Sequence, residues 1–154
     1  MLLKIKKIIS RKNKAKIICL TAYSKNIASI LDNYCDIILV GDSVGSVLYN
    51  YSTTREVTLN TMIEHSKRVK KGIKKSVMVV DMPYKTYKNP KEALINAKKI
   101  ISQTGCHAVK LEGGKKIIKT IEKTPEDESA LASFKILFFS FLFLPLNLNL
   151  PFSD

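Results

Sequence analysis

The sequence has few of the residues on which thiol, disulfide and histidine–metal sites depend. Its 154 residues include 3 cysteines and 2 histidines. Cys19, Cys35 and Cys106 form no CxxC pair and lie in or beside apolar runs, which is typical of reduced, buried thiols. His65 has no second histidine at metal-ligand spacing, so we expect it to be a structural, surface or partly buried histidine on a helix edge.

Arginine is also scarce, although the chain is strongly basic. The net charge is +13, from 26 Lys and Arg against 13 Asp and Glu, yet arginine occurs only at Arg11, Arg55 and Arg68. Arginine is the usual reader of bases and phosphates, and the lysines are dispersed along predicted helices. We therefore favour a solvated lysine-rich surface, with a basic nucleic-acid-binding module as the alternative.

Long hydrophobic runs are missing too. The first fourteen residues lack the apolar core and cleavage site of a signal peptide, which predicts a cytoplasmic protein. The apolar run 136–144 is shorter than the roughly 20 residues that span a bilayer. A membrane tether through this run is thus a second, weaker alternative. The remaining composition, 45% hydrophobic and 25% charged, is that of one globular domain with a core.

The sequence does contain a regular alternation of short apolar runs and amphipathic segments. We predict strands at 14–21, 36–40, 77–81 and 107–111, and helices at 2–9, from Ser24 onward, at 58–71, from Asn89 to Gly105, and at 115–123. Such alternation predicts an α/β fold of parallel βαβ units. About four units match the first half of a (β/α)8 barrel of the TIM type, and a small doubly wound sheet is the other possibility.

Capping residues and apolar spacing define two of these helices. Ser24 can cap a helix whose apolar face carries Ile27, Ile30, Leu31 and Tyr34. Asn89 as N-cap, Pro90 at N1 and Glu92 at N3 mark the clearest helix start, and Gly105 can end that helix. The connection 41–56 is longer than about 12 residues, which predicts a functional loop.

The composition changes at Thr124. An acidic, turn-like junction is followed by a tail rich in Phe and Leu and broken by Pro145 and Pro151. We therefore divide the chain into a partial barrel at 1–123 and a divergent apolar tail at 124–154. A frameshifted or aberrantly terminated reading frame is the origin that we favour for the tail.

Acidic residues follow three consecutive predicted strands: Asp42, Asp81 and Glu112. Because the carboxyl ends of parallel strands meet at one edge, these side chains should converge there. Adjacent carboxylates repel and attract a cation, and oxygen ligands without His or Cys suit Mg²⁺. Lys110 lies two residues before Glu112 on the same strand face and can bind an anionic substrate, to which Ser43 adds a hydroxyl.

Five segments in order and spacing resemble one known family: TAY at 21–23, LVGDSVG at 39–45, TLNTMIEHSKRVKKG at 58–72, VVDMPY at 79–84 and VKLEGG at 109–114. The chain is similar over about residues 10–120 to the 3-methyl-2-oxobutanoate (ketopantoate) hydroxymethyltransferase family. The resemblance implies a (β/α)8 barrel, a homo-oligomer, and transfer of a one-carbon unit from 5,10-methylenetetrahydrofolate to 3-methyl-2-oxobutanoate in pantothenate synthesis.

The resemblance also implies a set of site residues. Asp42 and Asp81 would bind Mg²⁺ directly and Glu112 through water. The 2-oxo acid would be held by Ser43 and Lys110 beside Asp42 and Asp81. The family's general base belongs to the second half of the barrel, and no catalytic base is identified in this sequence. The resemblance therefore implies weak or no activity unless another chain supplies that half.

Overall fold

The strands form one parallel sheet in the order in which they occur in the chain. The computed structural model describes residues 2–11 and 14–113. The helices are α1 (Leu2–Ser10), α2 (Lys25–Leu31), α3 (Val44–Tyr49), α4 (Leu59–Lys70) and α5 (Pro90–Thr104), with a 3-10 turn at Thr54–Glu56. The strands are β1 (Cys19–Thr21), β2 (Ile37–Val40), β3 (Val77–Asp81) and β4 (Ala108–Lys110).

The order β1-β2-β3-β4, with every pair parallel, is that of a barrel segment. A doubly wound sheet reverses its strand order at a switch point, and no reversal occurs in the described residues. The predicted first half of a (β/α)8 barrel is therefore confirmed. The predicted helix at 115–123 and the tail at 124–154 lie outside the described residues.

The core lies between the sheet and the helices. Ile38, Met78 and Val80, which alternate with the residues of the opposite face, are fully buried. α4 covers this side through Met62, Ile63, Ser66 and Val69, while α5 adds Ala97 and Ile100. The other sheet face carries Asp81 and Lys110 at its carboxyl end, so the packing of the helices fixes where the polar residues point.

The predicted caps of α2 and α5 are confirmed. Ser24 accepts a hydrogen bond from the backbone N–H of Ile27. At the start of α5, Asn89 Oδ1 accepts one from the backbone N–H of Glu92 at 2.9 Å. Gly105 ends α5 in the left-handed conformation, with a φ of 63°, which glycine adopts at little cost.

Of the four residues predicted for the apolar face of this helix, Leu31 is half-buried against the core and the other three are exposed. Ile27, Ile30 and Tyr34 are 48%, 60% and 72% exposed, and Ala28 is the residue that is fully buried. The cause is a very close approach to the turn after α4: a Cβ on Gly72 would lie 2.4 Å from the Lys25 carbonyl oxygen. Only a small side chain fits such a contact, so Ile27 and Ile30 point away from it.

Three further predictions are wrong: the length of the first strand, the burial of two of the cysteines and the irregular loop after β2. The first strand is three residues long, because the backbone N–H groups of Lys14 and Ala15 bond to the Arg11 carbonyl in a turn instead. Cys19 is exposed and Cys35 half-buried, so of the three thiols only Cys106 is buried as predicted. The connection 41–56 is not an irregular loop, since it contains α3 and the 3-10 turn.

No helix within the described part of the chain is long and apolar enough to cross a membrane. The apolar run 136–144, which is the basis of the membrane-tether alternative, lies outside that part.

Candidate active site at the carboxyl ends of the strands

Asp81 and Lys110 end neighbouring strands and occupy paired positions in the register. Their side chains point to the same side of the sheet, and Lys110 Nζ lies 3.0 Å from Asp81 Oδ1. Lys110 Nζ also donates a hydrogen bond to Glu112 Oε1 at 2.5 Å. The lysine therefore joins the ends of two strands. Glu112, predicted on the same strand face as Lys110, lies two residues beyond the end of β4 and reaches the lysine from there.

Asp42 joins this group from the loop after β2. Its backbone N–H donates to Asp81 Oδ2 at 3.3 Å, which brings the third acidic residue to the same edge. Its half-buried carboxylate has a raised pKa, first because of burial and then because of the nearby Glu112 charge. Lys110 and a hydrogen bond from the Thr54 side chain act in the opposite direction.

Burial dominates the electrostatics of the central pair. It raises the pKa of Asp81 from 3.8 to about 6, although Lys110 pulls the value down and Asp42 adds to the rise. Burial alone would lower the pKa of Lys110, but Asp81 and Glu112 outweigh it, so that pKa lies above its ordinary value. Additional positive charge nearby stabilises the ionised form of a buried carboxylate of this kind.

A hard divalent cation fits this donor set. Asp81 Oδ1 is buried and meets Lys110 outside hydrogen-bonding geometry, so among the described residues it has no well-aligned donor. Oxygen ligands with charge to compensate are what Mg²⁺ prefers. Within residues 2–11 and 14–113, however, no three acidic, His or Cys side chains already surround one point as ligands. Lys110 bonds to Glu112 instead, so the carboxylates share an edge without forming a closed cage.

Ser43 lies at the same edge and is paired with Tyr23. Ser43 is the N-cap residue of α3, but its hydroxyl does not cap the helix. Its Oγ lies 2.6 Å from the Tyr23 hydroxyl oxygen. Tyr23 follows β1, so all four strands contribute polar residues to one edge.

Tyr23 and Thr54 were not predicted as site residues. Tyr23 stands two residues after a strand, and the rule that identified Asp42 could have identified it as well. Thr54 had no such signal, because its place depends on the 3-10 turn inside a segment predicted to be irregular.

His65 reaches the site region from α4. It is 6% exposed, and its two ring nitrogens lie 2.7 Å from the Tyr49 hydroxyl and 3.1 Å from the Tyr23 carbonyl oxygen. A histidine bonded on both sides in this way has a defined ring orientation.

Taken together, the fold and this edge are those of a (β/α)-barrel segment with a candidate site at the carboxyl ends of the strands. The fold is similar to that of the crystal structure of 2,3-dimethylmalate lyase, a PEP mutase/isocitrate lyase superfamily member. The likeness has a TM-score of 0.53 at 15% identity and covers 72% of this chain and 39% of that one. The chain belongs to the ketopantoate hydroxymethyltransferase family, whose model matches residues 3–129.

Curated relatives carry the name 3-methyl-2-oxobutanoate hydroxymethyltransferase. The protein from Pelagibacter ubique is 68% identical over 119 residues, which cover 77% of this chain and 46% of the relative. Those from Chelativorans sp. and Anaplasma marginale are 50% and 54% identical and cover 74% of this chain and 41% of each relative. The chain thus spans somewhat less than half the length of these relatives.

Proposed function

We propose that this chain carries the metal- and oxo-acid-binding half of a 3-methyl-2-oxobutanoate hydroxymethyltransferase. The reaction would move a one-carbon unit from 5,10-methylenetetrahydrofolate to 3-methyl-2-oxobutanoate and give 2-dehydropantoate. The observation that carries the proposal is the buried Asp81–Lys110 pair beside Asp42, at one edge of a barrel-type sheet. Family membership and the names of the relatives support it.

In this proposal Asp42 and Asp81 hold Mg²⁺, and Glu112 holds it through water. Bound Mg²⁺ supplies Lewis acidity that makes the C3 proton of the 2-oxo acid easier to remove. The buried Asp81 carboxylate and the raised pKa of Asp42 support this assignment, because a cation offsets the cost of burying both charges.

Lys110 and Ser43 bind the carboxylate of the oxo acid. Lys110, beside Asp81 and Glu112, supplies the positive charge that attracts this carboxylate. The Tyr23 and Ser43 hydroxyls have two protons and use one between them, which leaves one O–H to donate to an anionic oxygen. This geometry adds Tyr23 to the residues that we assign to substrate binding.

The general base is assigned to the half of the barrel that relatives possess beyond the matched region. No residue at the described edge has a geometry suited to that role without also being a ligand or a carboxylate-binding group. We therefore propose that this chain binds metal and oxo acid but turns over little or no substrate without the second half. The folate co-substrate, assembly into a homo-oligomer, a cytoplasmic location and a partial-barrel unit ending near residue 123 belong to the same proposal.

Calorimetry on the full chain tests the site. We expect 3-methyl-2-oxobutanoate to bind when Mg²⁺ is present, and binding of Mg²⁺ alone to weaken by at least about tenfold in Asp42→Asn and Asp81→Asn. Glu64→Gln is the matched control, since Glu64 is an exposed residue of α4 that pairs with Lys67 and is not one of the proposed ligands. Equal Mg²⁺ affinity in all four proteins would contradict the assigned ligands, and substrate turnover by the chain alone would contradict the missing base.

A further inference from the structure

His65 connects two separate segments that hold the Tyr23–Ser43 hydroxyl pair. Tyr49, which bonds to His65 Nε2, is the last residue of α3, and Ser43 is the N-cap residue of that helix. The carbonyl of Tyr23, which bonds to His65 Nδ1, lies on the segment between β1 and α2. The two hydroxyls that meet at 2.6 Å are therefore each attached to a segment that His65 holds.

The hydrogen-bond partners define the arrangement of the neutral ring. A backbone carbonyl oxygen only accepts, so Nδ1 must carry the proton and donate it to Tyr23. Nε2 then accepts from the Tyr49 hydroxyl. The Tyr49 ring also meets the imidazole edge-on, with ring centres 5.6 Å apart, and it stacks on Tyr51 at 5.5 Å. The Tyr23 carbonyl thus fixes the tautomer of the imidazole, and Tyr49 fixes its orientation.

A histidine at this buried position can form hydrogen bonds to both segments at once, which stabilises their relative placement. His65 is 6% exposed, so either bond, if lost, would leave a polar group without water to replace its partner. An apolar residue at this place on α4 would fill space but would leave the segments free to separate. Neither hydroxyl belongs to a residue inside a helix or strand, so the distance between the two would then no longer be fixed.

We propose that His65 is a positioning residue for oxo-acid binding: its Nδ1–H fixes the segment that carries Tyr23, so that the Tyr23 and Ser43 hydroxyls present one anion-binding pair. Tyr49 acts on the same pair by fixing the orientation of the His65 ring. His65 does not touch the substrate. The inference rests on the proposed function in so far as the carboxylate of a 2-oxo acid is the anion bound.

Two substitutions at His65 separate positioning from mere packing. The amide of asparagine lies where Nδ1 lies and can still donate to the Tyr23 carbonyl, whereas the amide of glutamine lies where Nε2 lies and cannot. We expect His65→Asn to bind 3-methyl-2-oxobutanoate within about threefold of the unsubstituted chain, and His65→Gln to bind it at least about tenfold more weakly, by calorimetry in saturating Mg²⁺. Thermal unfolding of both variants shows whether each is folded.

Tyr49→Phe removes only the hydroxyl that bonds to His65 Nε2 and holds the ring in place, and Tyr51→Phe is its matched control in the same aromatic stack. We expect a loss of affinity of a few fold in the first and none in the second. Long-range ¹H–¹⁵N spectra should show a protonated Nδ1 in the unsubstituted chain and also in Tyr49→Phe, because the Tyr23 carbonyl is still present.

The outcomes distinguish this inference from the proposed function. If the unsubstituted chain does not bind the oxo acid, the proposed function fails before His65 is tested. If it binds and His65→Gln binds equally well, or if His65→Asn loses as much affinity as His65→Gln, the positioning role is wrong. A protonated Nε2 in the unsubstituted chain would also overturn it.

Discussion

Asp81 and Lys110 form an ion pair at 3.0 Å in which less than a tenth of either side chain is exposed. Their Cα atoms are register partners on β3 and β4, so the pair depends on correct alignment of two strands whose intervening helix is α5. A buried pair is expensive to form and more expensive to break, because the remaining charge is left without a partner. The arrangement thus couples the fold of this half-barrel to the chemistry of its site.

Lys110→Met should destabilise the protein by about 3 kcal/mol at pH 8, because it leaves the Asp81 carboxylate buried beside the Asp42 charge. The loss should shrink below pH 6, where Asp81 is protonated. Urea denaturation in the absence of metal measures both values. Lys67→Met is the control: that lysine forms an exposed pair with Glu64 at 2.8 Å and should cost less than about 1 kcal/mol. Equal losses in the two variants would mean that burial of the Asp81 pair has no energetic effect.

Asp81 and His107 have opposite pKa shifts, and their effects on the free energy of unfolding should nearly cancel in the acid range. Burial raises the pKa of Asp81 to about 6, so the folded state binds more protons between its ordinary pKa and pH 6 and unfolding becomes easier as pH rises. Burial lowers the pKa of His107 from 6.5 to about 4, helped by the nearby Lys70 and Lys4 charges. The unfolded state then binds more protons from pH 4 to 6.5, and unfolding becomes harder as pH rises.

Removing either group should reveal the pH dependence of stability that the other group contributes. In metal-free Asp81→Asn, the free energy of unfolding should rise by about 2 kcal/mol from pH 4.5 to 6.5, less than the full pKa difference because of water screening. In His107→Asn the free energy of unfolding should fall over the same range, because the Asp81 shift remains. This variant keeps a local hydrogen bond, since the asparagine amide oxygen can accept the Met78 N–H that His107 Nδ1 accepts at 2.8 Å. Parallel slopes in the two variants would contradict the assigned pKa shifts.

The sequence was sufficient to predict the sheet and the placement of most candidate-site residues at one edge of it, because both follow from local patterns. β3 was predicted with its observed limits, since five buried residues are followed directly by Met82 and Pro83. Asp42, Asp81 and Lys110 could be placed together because parallel strands end at one edge. The spacing of residues along the chain carries this information without knowledge of any tertiary contact.

Prediction failed where contacts between distant segments decide the outcome. The exposure of Ile27 and Ile30 depends on how closely α2 approaches the turn at Gly72, which apolar spacing does not reveal. The link between Tyr23 and His65 joins residues 42 positions apart. No periodic pattern marks such a link, and a buried histidine with two partners resembles an ordinary helix residue in the sequence.

Asp32 should be the main source of acid sensitivity at the opposite end of the sheet. It is 5% exposed and accepts backbone N–H bonds from Lys74, Lys75 and Ser76 at 2.8, 2.9 and 2.8 Å. Burial alone would raise its pKa, but these bonds outweigh it and the pKa of Asp32 lies below its ordinary value. A depressed pKa contributes stability above the unfolded value, and this is lost as pH falls through the folded value.

Asp32→Asn should therefore cost about 2 kcal/mol at pH 7, because an amide turns a donor toward N–H groups that need an acceptor. The difference from the unsubstituted chain should narrow below pH 4 in urea denaturation. Glu64→Gln, at an exposed carboxylate, should show neither effect. A constant difference at all pH values would mean that the Asp32 charge is not what binds the three amides.

Gly72 and Gly105 should respond differently to the same substitutions, because they are glycines for different reasons. At Gly72 the backbone is not left-handed, but a Cβ would lie 2.4 Å from the Lys25 carbonyl oxygen and 2.8 Å from the Ser29 nitrogen. At Gly105 the nearest atom to a Cβ is the end of the Lys70 side chain at 3.6 Å, while φ is 63°. The first position lacks space, and the second requires an unusual conformation.

Gly105→Ala should cost about 1 kcal/mol in urea denaturation, and Gly105→Asn should cost less, since asparagine tolerates the left-handed region better. Gly72→Ala should cost about 3 kcal/mol, because backbone atoms of α2 must move away, and Gly72→Asn should be no better. Recovery of stability in Gly72→Asn would show that conformation, and not the approach of α2, is what selects glycine there. It would also remove the explanation for the exposed face of α2, since that face is exposed only if Ala28 and Gly72 hold the helix so close.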